Sequence, residues 1–475
     1  MTEMVRPDPS QILLETFSKA QRAFRATPYA DCVERRKRLA TLKQLLLDNR
    51  AQLCAAIDRD FNGRSMVETQ IAEFLPTLMA INDANRQLKG WMRAERKWLH
   101  LLFQPAGAQV LPQPLGVIGI IVPWNYPLLL SFGPLIGALA AGNHALIKPS
   151  ELTPAFGSLL VSLIEQYFDV GLVTVVNGDI ELAQAFAALP FQHLFFTGSI
   201  GVGRAVLRAA SDNLTPVTLE LGGKSPVVID RSMPVREAAE RLVFAKCLNA
   251  GQTCVAPDYI LCPDERVSDF VQHFLSEVKR QYGDIAQNDH YTAIIDARQR
   301  DRLTEYVDEA RAAGASVFVA GPTDDLAYYG HKLPPILLTN LPAGCRLLVD
   351  EIFGPLLPIL SYHRLDEALN YINDRPRPLA LYVFGYEQEL RPLFSLKTHS
   401  GALIFNDAVL QVGMANIPFG GVGASGMGHY HGRFGFETFS KLKPIIAKQR
   451  VSSLKLLYPP YKAWLVNLIL RVFGR

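Results

Sequence analysis

Cys254 closes the segment Asn249-Ala250-Gly251-Gln252-Thr253-Cys254, where small residues after a helical pattern can expose a thiol as a nucleophile. A single cysteine is more often a small buried hydrophobe, so this segment alone leaves its role open. Glu220 lies in Thr218-Leu219-Glu220-Leu221-Gly222-Gly223-Lys224, an apolar strand followed by two glycines. Burial there would raise its pKa toward the range of a general base, although a helix cap or an ion pair is the commoner use of such a carboxylate. Asn125, in Pro123-Trp124-Asn125-Tyr126-Pro127, would sit at a strand end between prolines. Its amide could donate to an oxyanion, and a turn-forming Asn is the commoner reading.

Nucleotide binding has its own candidates. Lys148 and Glu151 follow another strand in Lys148-Pro149-Ser150-Glu151 and could bracket ribose hydroxyls, or simply open a solvated helix. Phe196-Thr197-Gly198-Ser199-Ile200-Gly201-Val202-Gly203 ends a third strand with a Gly-rich turn into a helix, suited to a pyrophosphate at the helix N-terminus. Gly421-Val422-Gly423-Ala424-Ser425-Gly426 also fits the GxGxxG string. With neither a firm strand before it nor a helix after, it reads as a mobile or tightly turned loop near an active site.

The elements that must position these residues alternate. Apolar runs at 117–122, 145–147, 173–176 and 193–196 are followed or interleaved by helical patterns at 154–168, 181–189 and 203–210. A parallel sheet covered on both faces is the architecture this predicts, with ligands at the strand C-terminal ends. A second block repeats the grammar, with strands at 226–229 and 259–262 and helices at 234–248 and 267–282. Residues 31–60 carry Leu39, Leu42, Leu45 to Leu47 and Leu53 at helical spacing among Arg and Lys, which predicts a helical N-terminal layer. Trp98 to Ile147 contains no charged residue, but its prolines and glycines interrupt it before about 20 apolar residues accumulate, so buried strands and a packed helix are expected and not a membrane span.

At 475 residues, with 49% hydrophobic and 20% charged residues, the chain is long enough for two or three globular domains and is not a disordered protein. Lys+Arg 48 against Asp+Glu 45 leaves a net charge of +3, with the basic residues dispersed, so no nucleic-acid footprint is expected. Six cysteines at 32, 54, 247, 254, 262 and 345 form neither a disulfide framework nor a CxxC metal site, which favours a reducing cytoplasm. No secretory signal is expected over Met1 to Ser10, which lacks an apolar core.

Taken in order, PWNYP at 123–127, KPSE at 148–151, FTGSIGVG at 196–203, LELGGKSP at 219–226, GQTC at 251–254, EIFGP at 351–355 and PFGGVGASGMG at 418–428 resemble the NAD(P)-dependent aldehyde dehydrogenases. Cys254 followed by Val255-Ala256-Pro257-Asp258, and the run from His431 to Ser440, look most like the class 3 branch, which includes fatty, aromatic and coniferyl aldehyde dehydrogenases. The resemblance implies an α/β fold with a Rossmann-like cofactor domain (1–218, with part of a bridging arm near 92–113), a catalytic domain (219–405) and a bridging segment with the C-terminal tail (406–475). It implies Cys254 as nucleophile, Glu220 as the base that activates water, and Asn125 as oxyanion donor with the Cys254 backbone N–H. Lys148 and Glu151 would meet the adenosine ribose, Gly198, Ser199, Gly201 and Gly203 the phosphates, Glu351 and Phe353 the nicotinamide riboside, and Trp124 would lie along the cofactor. The chemistry is coherent: a thiolate adds to an aldehyde, the adduct expels hydride to the nicotinamide, and water cleaves the thioester.

Glu151 should repel a 2′-phosphate, so NAD is expected over NADP without exclusion. No metal is needed, and His429 and His431 have no partner at ligand spacing. A CoA-acylating relative and a catalytically silent homologue are the alternatives; Glu220 argues against the first, and the intact trio of Cys254, Glu220 and Asn125 against the second. The resemblance suggests a homodimer. In the tail, Asn467, Arg471 and Arg475 fall at i, i+4 and i+8 and leave Trp464, Leu465, Leu468, Ile469, Val472 and Phe473 on an apolar face. Packing within the protein or dimer is expected ahead of peripheral membrane contact, because a net +3 adds little attraction to anionic lipid.

Overall fold

The computed structural model describes residues 9–474. Residues 1–8, where no secretory signal is expected, and Arg475 lie outside the described residues. Three sheets organise the chain. The first has six strands in the order Gly426–Met427, Val217–Leu221, His193–Gly198, Val117–Ile121, His144–Lys148 and Val173–Val175, all parallel except the short Gly426–Met427 strand. Its crossover helices include Pro127–Ala141, Pro154–Tyr167 and Ile200–Ser211. Strands buried on both faces read as continuous apolar runs, and Val117–Ile121 and His144–Lys148 are buried at every position.

The second sheet has seven strands, ordered Ser316–Val319, Ile336–Thr339, Leu356–Tyr362, Tyr259–Pro263, Pro226–Ile229, Ala380–Phe384 and Ala402–Phe405. The third joins Glu95–Lys97, Ala106–Pro114 and Ser440–Lys448 in antiparallel register, with Ser440–Lys448 at an edge. The charge-free stretch becomes the strands Ala106–Pro114 and Val117–Ile121 and the almost wholly buried helix Pro127–Ala141, as a helix apolar on all sides must be. The helical N-terminal layer forms as Cys32–Asp48 and Arg50–Phe61 and packs on the first sheet's helices.

One boundary differs from the sequence expectation. The strand Val217–Leu221 runs through the division expected between 218 and 219, and it pairs with His193–Gly198. Glu220 therefore stands in the first sheet, between Thr197 on one neighbour and Gly426 on the other. The C-terminal helix Ala463–Phe473 forms, but within one chain its apolar face is not covered. Phe473 meets the His100 ring edge-on at 4.4 Å, while Trp464, Leu468 and Val472 stay exposed. Among the described residues no helix is long and apolar enough to cross a membrane.

Candidate active site

Cys254 owes its position to an unusual approach. The helix Val235–Cys247 ends, and Asn249, Ala250 and Gly251 then take left-handed backbone conformations with φ of 51°, 50° and 71°. Only glycine adopts this freely, so two of the three residues hold strain that the surroundings must offset. Gly251 cannot carry a side chain, because a Cβ there would strike the Gly354 carbonyl. The turn is held by Gln252, whose amide donates to Asn249 O and Ala293 O at 3.0 Å each and accepts Ile295 N–H at 3.0 Å. Cys254 emerges half-buried at the floor of a cavity of about 210 Å³.

Glu220 lines the same cavity. Its side chain is buried and neither carboxylate oxygen has a hydrogen-bond partner. Burial lifts its carboxyl well above the usual range. Burial likewise pushes the Cys254 thiol up to about 12, with the nearby Glu351 and Glu220 carboxylates adding to the effect. The resting thiol is thus protonated and needs a base. The exposed part of its lining is aliphatic and aromatic, with Ile71, Leu75, Met79, Phe244 and Leu410. Its buried part includes the polar residues Thr197, Tyr126, Thr253 and Tyr430 together with Glu220.

Asn125 lies behind this cavity and not in its wall. Its Nδ2 donates to Gln252 O at 3.2 Å, two residues ahead of Cys254. Trp124 packs edge-on against Phe353 with centroids 5.4 Å apart, which brings together two residues distant in sequence. Phe353 itself sits in the left-handed region at φ 50°. Glu351 faces Gly222, where a Cβ would overlap its carboxylate, and accepts the Gly223 N–H. Its Oε1 is buried without a partner and its carboxyl is raised to about 8 by burial. The loop is clamped by Asp258, which accepts Ile352 N–H at 3.0 Å and an ammonium contact from Lys224, and by Arg302, which donates to Ile352 O at 2.8 Å.

The Gly-rich turn opens the helix Ile200–Ser211, capped by the Ser199 hydroxyl on Val202 N–H at 3.4 Å. Gly198 ends the preceding strand, a Cβ at Gly201 would meet open space, and Gly203 packs on Leu221. A cavity of about 420 Å³ runs from Ile200 past Gly222 and Gly223 to Glu351. An unpartnered buried carboxylate at one end and free helix N–H groups at the other fit a dinucleotide. Lys148 is buried at the end of its strand, its Nζ donating to Pro149 O at 2.7 Å, while Glu151 is exposed nearby. The rejected GxGxxG segment is a tight turn: Val422 N–H donates to Ser425 Oγ at 2.9 Å, and Gly426 pairs with Glu220.

Sequence reasoning missed the support behind the site. Arg64, Glu68, Glu73, Asn249 and Gln252 are all buried and bonded around the Cys254 loop. Spacing gave no signal for Glu73, because a π turn at Gln70–Phe74 shifts it out of the α-helical repeat. Among the described residues no three His, Cys, Asp or Glu side chains converge as a metal site.

A thiol and an unpaired carboxylate at one apolar cavity, set against a nucleotide-binding sheet, define a thiol-dependent α/β oxidoreductase. The aldehyde dehydrogenase family model matches residues 10–445, and the chain belongs to that family. A probable coniferyl aldehyde dehydrogenase of Pseudomonas aeruginosa is 49% identical over 462 residues, 97% of this chain and 96% of that protein. Aldehyde dehydrogenase family 3 member A2 of Rattus norvegicus is 38% identical over 448 residues, 93% of this chain and 91% of the other. The structure of Staphylococcus aureus AldH in a substrate-bound state superposes with a TM-score of 0.92 at 36% identity, covering 98% of this chain and 99% of that one. The chain is thus an NAD(P)-dependent aldehyde dehydrogenase of the class 3 branch, oxidising an aldehyde to the carboxylic acid.

Proposed function

We propose that the substrate is an aldehyde with an apolar body, medium- or long-chain aliphatic or aromatic, coniferyl aldehyde included, and that Cys254, Glu220 and Asn125 carry the reaction. The observation that supports this most is the cavity itself: a largely apolar lining that includes one thiol and one carboxylate, the carboxylate without a hydrogen-bond partner. Cys254 Sγ adds to the aldehyde carbon after Glu220 has taken its proton. The oxyanion that forms is met by the Cys254 backbone N–H and the Asn125 amide, which leaves Gln252 O to do so. Bound NAD(P) supplies the hydride acceptor. The acyl group then on Sγ is a thioester, and Glu220, once it has released the thiol proton to solvent, deprotonates the water that cleaves it. Glu351 and Phe353 would hold the nicotinamide riboside, with Trp124 against Phe353. Gly198, Ser199, Gly201 and Gly203 would receive the phosphates, and Lys148 with Glu151 the adenosine ribose.

Glu151 disfavours a 2′-phosphate, so NAD is the preferred nucleotide. The exposed edge Ser440–Lys448 and the uncovered face of Ala463–Phe473 suit a second copy of the chain, which makes the protein a homodimer. Residues 1–218, 219–405 and 406–475 are read as cofactor, catalytic and bridging parts, the first extended through Leu221. Free cysteines at all six positions suit the cytoplasm. The test is turnover by purified protein with NAD or NADP across hexanal, dodecanal, cinnamaldehyde and coniferyl aldehyde, and with glyceraldehyde as a polar comparison. Efficiency highest for the apolar aldehydes is expected. Glyceraldehyde turned over equally well would remove the substrate reading.

A further inference from the structure

Arg64 is buried behind the cavity and does not line it. Its guanidinium lies between the rings of Phe61 and Tyr126, 4.8 and 4.9 Å from their centroids. Nη1 donates to the Asn125 carbonyl oxygen at 2.7 Å. Nη2 forms an ion pair with Glu73 at 3.1 Å, and Nε stands 4.0 Å from Glu68. Each carboxylate is anchored elsewhere. Glu73 Oε2 accepts Leu128 N–H and Leu129 N–H at 2.8 and 3.0 Å, and Glu68 Oε1 accepts the Thr292 hydroxyl at 2.8 Å.

What Arg64 holds is in turn bonded to the loop that ends in Cys254. The same Asn125 oxygen accepts Asn249 Nδ2 at 2.9 Å, from a residue in the left-handed region. Asn125 Nδ2 donates to Gln252 O, and the Tyr126 hydroxyl shares a 2.7 Å hydrogen bond with Thr253 Oγ1. Three charges buried together are a poor route to stability compared with apolar packing. They are a good route to register, because a cation bonded to a carbonyl fixes direction as well as distance.

We propose that Arg64 is a positioning residue for the oxidation: through the Asn125 carbonyl and the Tyr126 ring it sets the Asn125 amide against the Cys254 loop without touching substrate or cofactor. This rests on Asn125 as the oxyanion donor, and the experiment separates the two. Steady-state kinetics with NAD and hexanal compare wild type, Arg64→Met, Asn125→Ala and the double variant. Arg64→Met is expected to lower kcat by roughly 30-fold with both KM values within about threefold, and in the Asn125→Ala background to cost less than about threefold. Arg64→Lys, which keeps the charge and one donor, should recover most of the loss. If Arg64→Met does not fold, Glu73→Gln replaces it, with a fall in kcat of about fivefold and the same absorption by Asn125→Ala. An equal loss in both backgrounds, or a loss confined to KM, overturns the inference while leaving the oxyanion assignment in place. A fully active Asn125→Ala overturns that assignment and the inference with it.

Discussion

Glu220 and Glu73 are both buried carboxylates within reach of the Cys254 loop, and the structure treats them in opposite ways. Glu73 accepts two backbone N–H groups at the head of the helix Pro127–Ala141 and faces the Arg64 guanidinium. Glu220 has no hydrogen-bond partner on either oxygen. Burial raises both carboxyls, but for Glu73 the Arg64 charge and the two N–H bonds oppose that rise, while for Glu220 nothing does. One carboxylate is used to hold a backbone in place and the other is kept free to take a proton. A group that must change protonation during a reaction is kept out of the hydrogen bonds that would fix its state.

That contrast can be broken at several points. Cys254→Ser should lower kcat by at least about 1,000-fold, measured as nucleotide reduction by absorbance, since an alcohol replaces the nucleophile. Glu220→Gln should cost roughly 100- to 10,000-fold in the same assay. Because burial raises its carboxyl, the base form of Glu220 gains population as pH rises, so wild-type kcat should climb through neutrality into the alkaline range. The Glu220→Gln profile should lose that limb, and an unchanged profile would assign it to another group. In denaturant unfolding, Glu73→Ala should destabilise by about 3–5 kcal/mol by leaving Arg64 and two N–H groups unpaired. Glu220→Gln should leave stability nearly unchanged or raise it, because neither carboxyl oxygen has a partner to lose. If the two carboxylates respond alike in stability, the contrast fails. Exposed Glu151 offers a smaller effect, Glu151→Gln raising relative NADP efficiency by about fivefold. Removing 462–475 should alter oligomeric mass or chain-length preference, and no change in either would leave the tail without a packing role.

Much of the nucleotide side was legible because its signals are local. A strand ends, glycines turn the chain, and a helix begins; the Gly198–Gly203 turn and the strand end at Lys148 fall where those local signals point. The support for the nucleophile was not legible. Arg64 lies in the irregular segment between two helices and Glu73 in a π turn, so no helical spacing relates them, and Asn249 has no mark in the sequence of its left-handed backbone. The motif that carries Glu220 also continues the first sheet across residues 218 and 219, and only strand pairing reveals it.

The order of residue types along the chain determined the family and the alternation of strands and helices, and singled out Cys254, Glu220 and Asn125 as candidates, since each depends on neighbours within a few positions. The tertiary structure decided that Glu220 is left unpartnered, that Trp124 meets Phe353, and that Arg64 reaches Asn125 across 61 positions. Burial and hydrogen-bond partners are set by segments far apart in sequence, and a local pattern carries no record of what will pack against it.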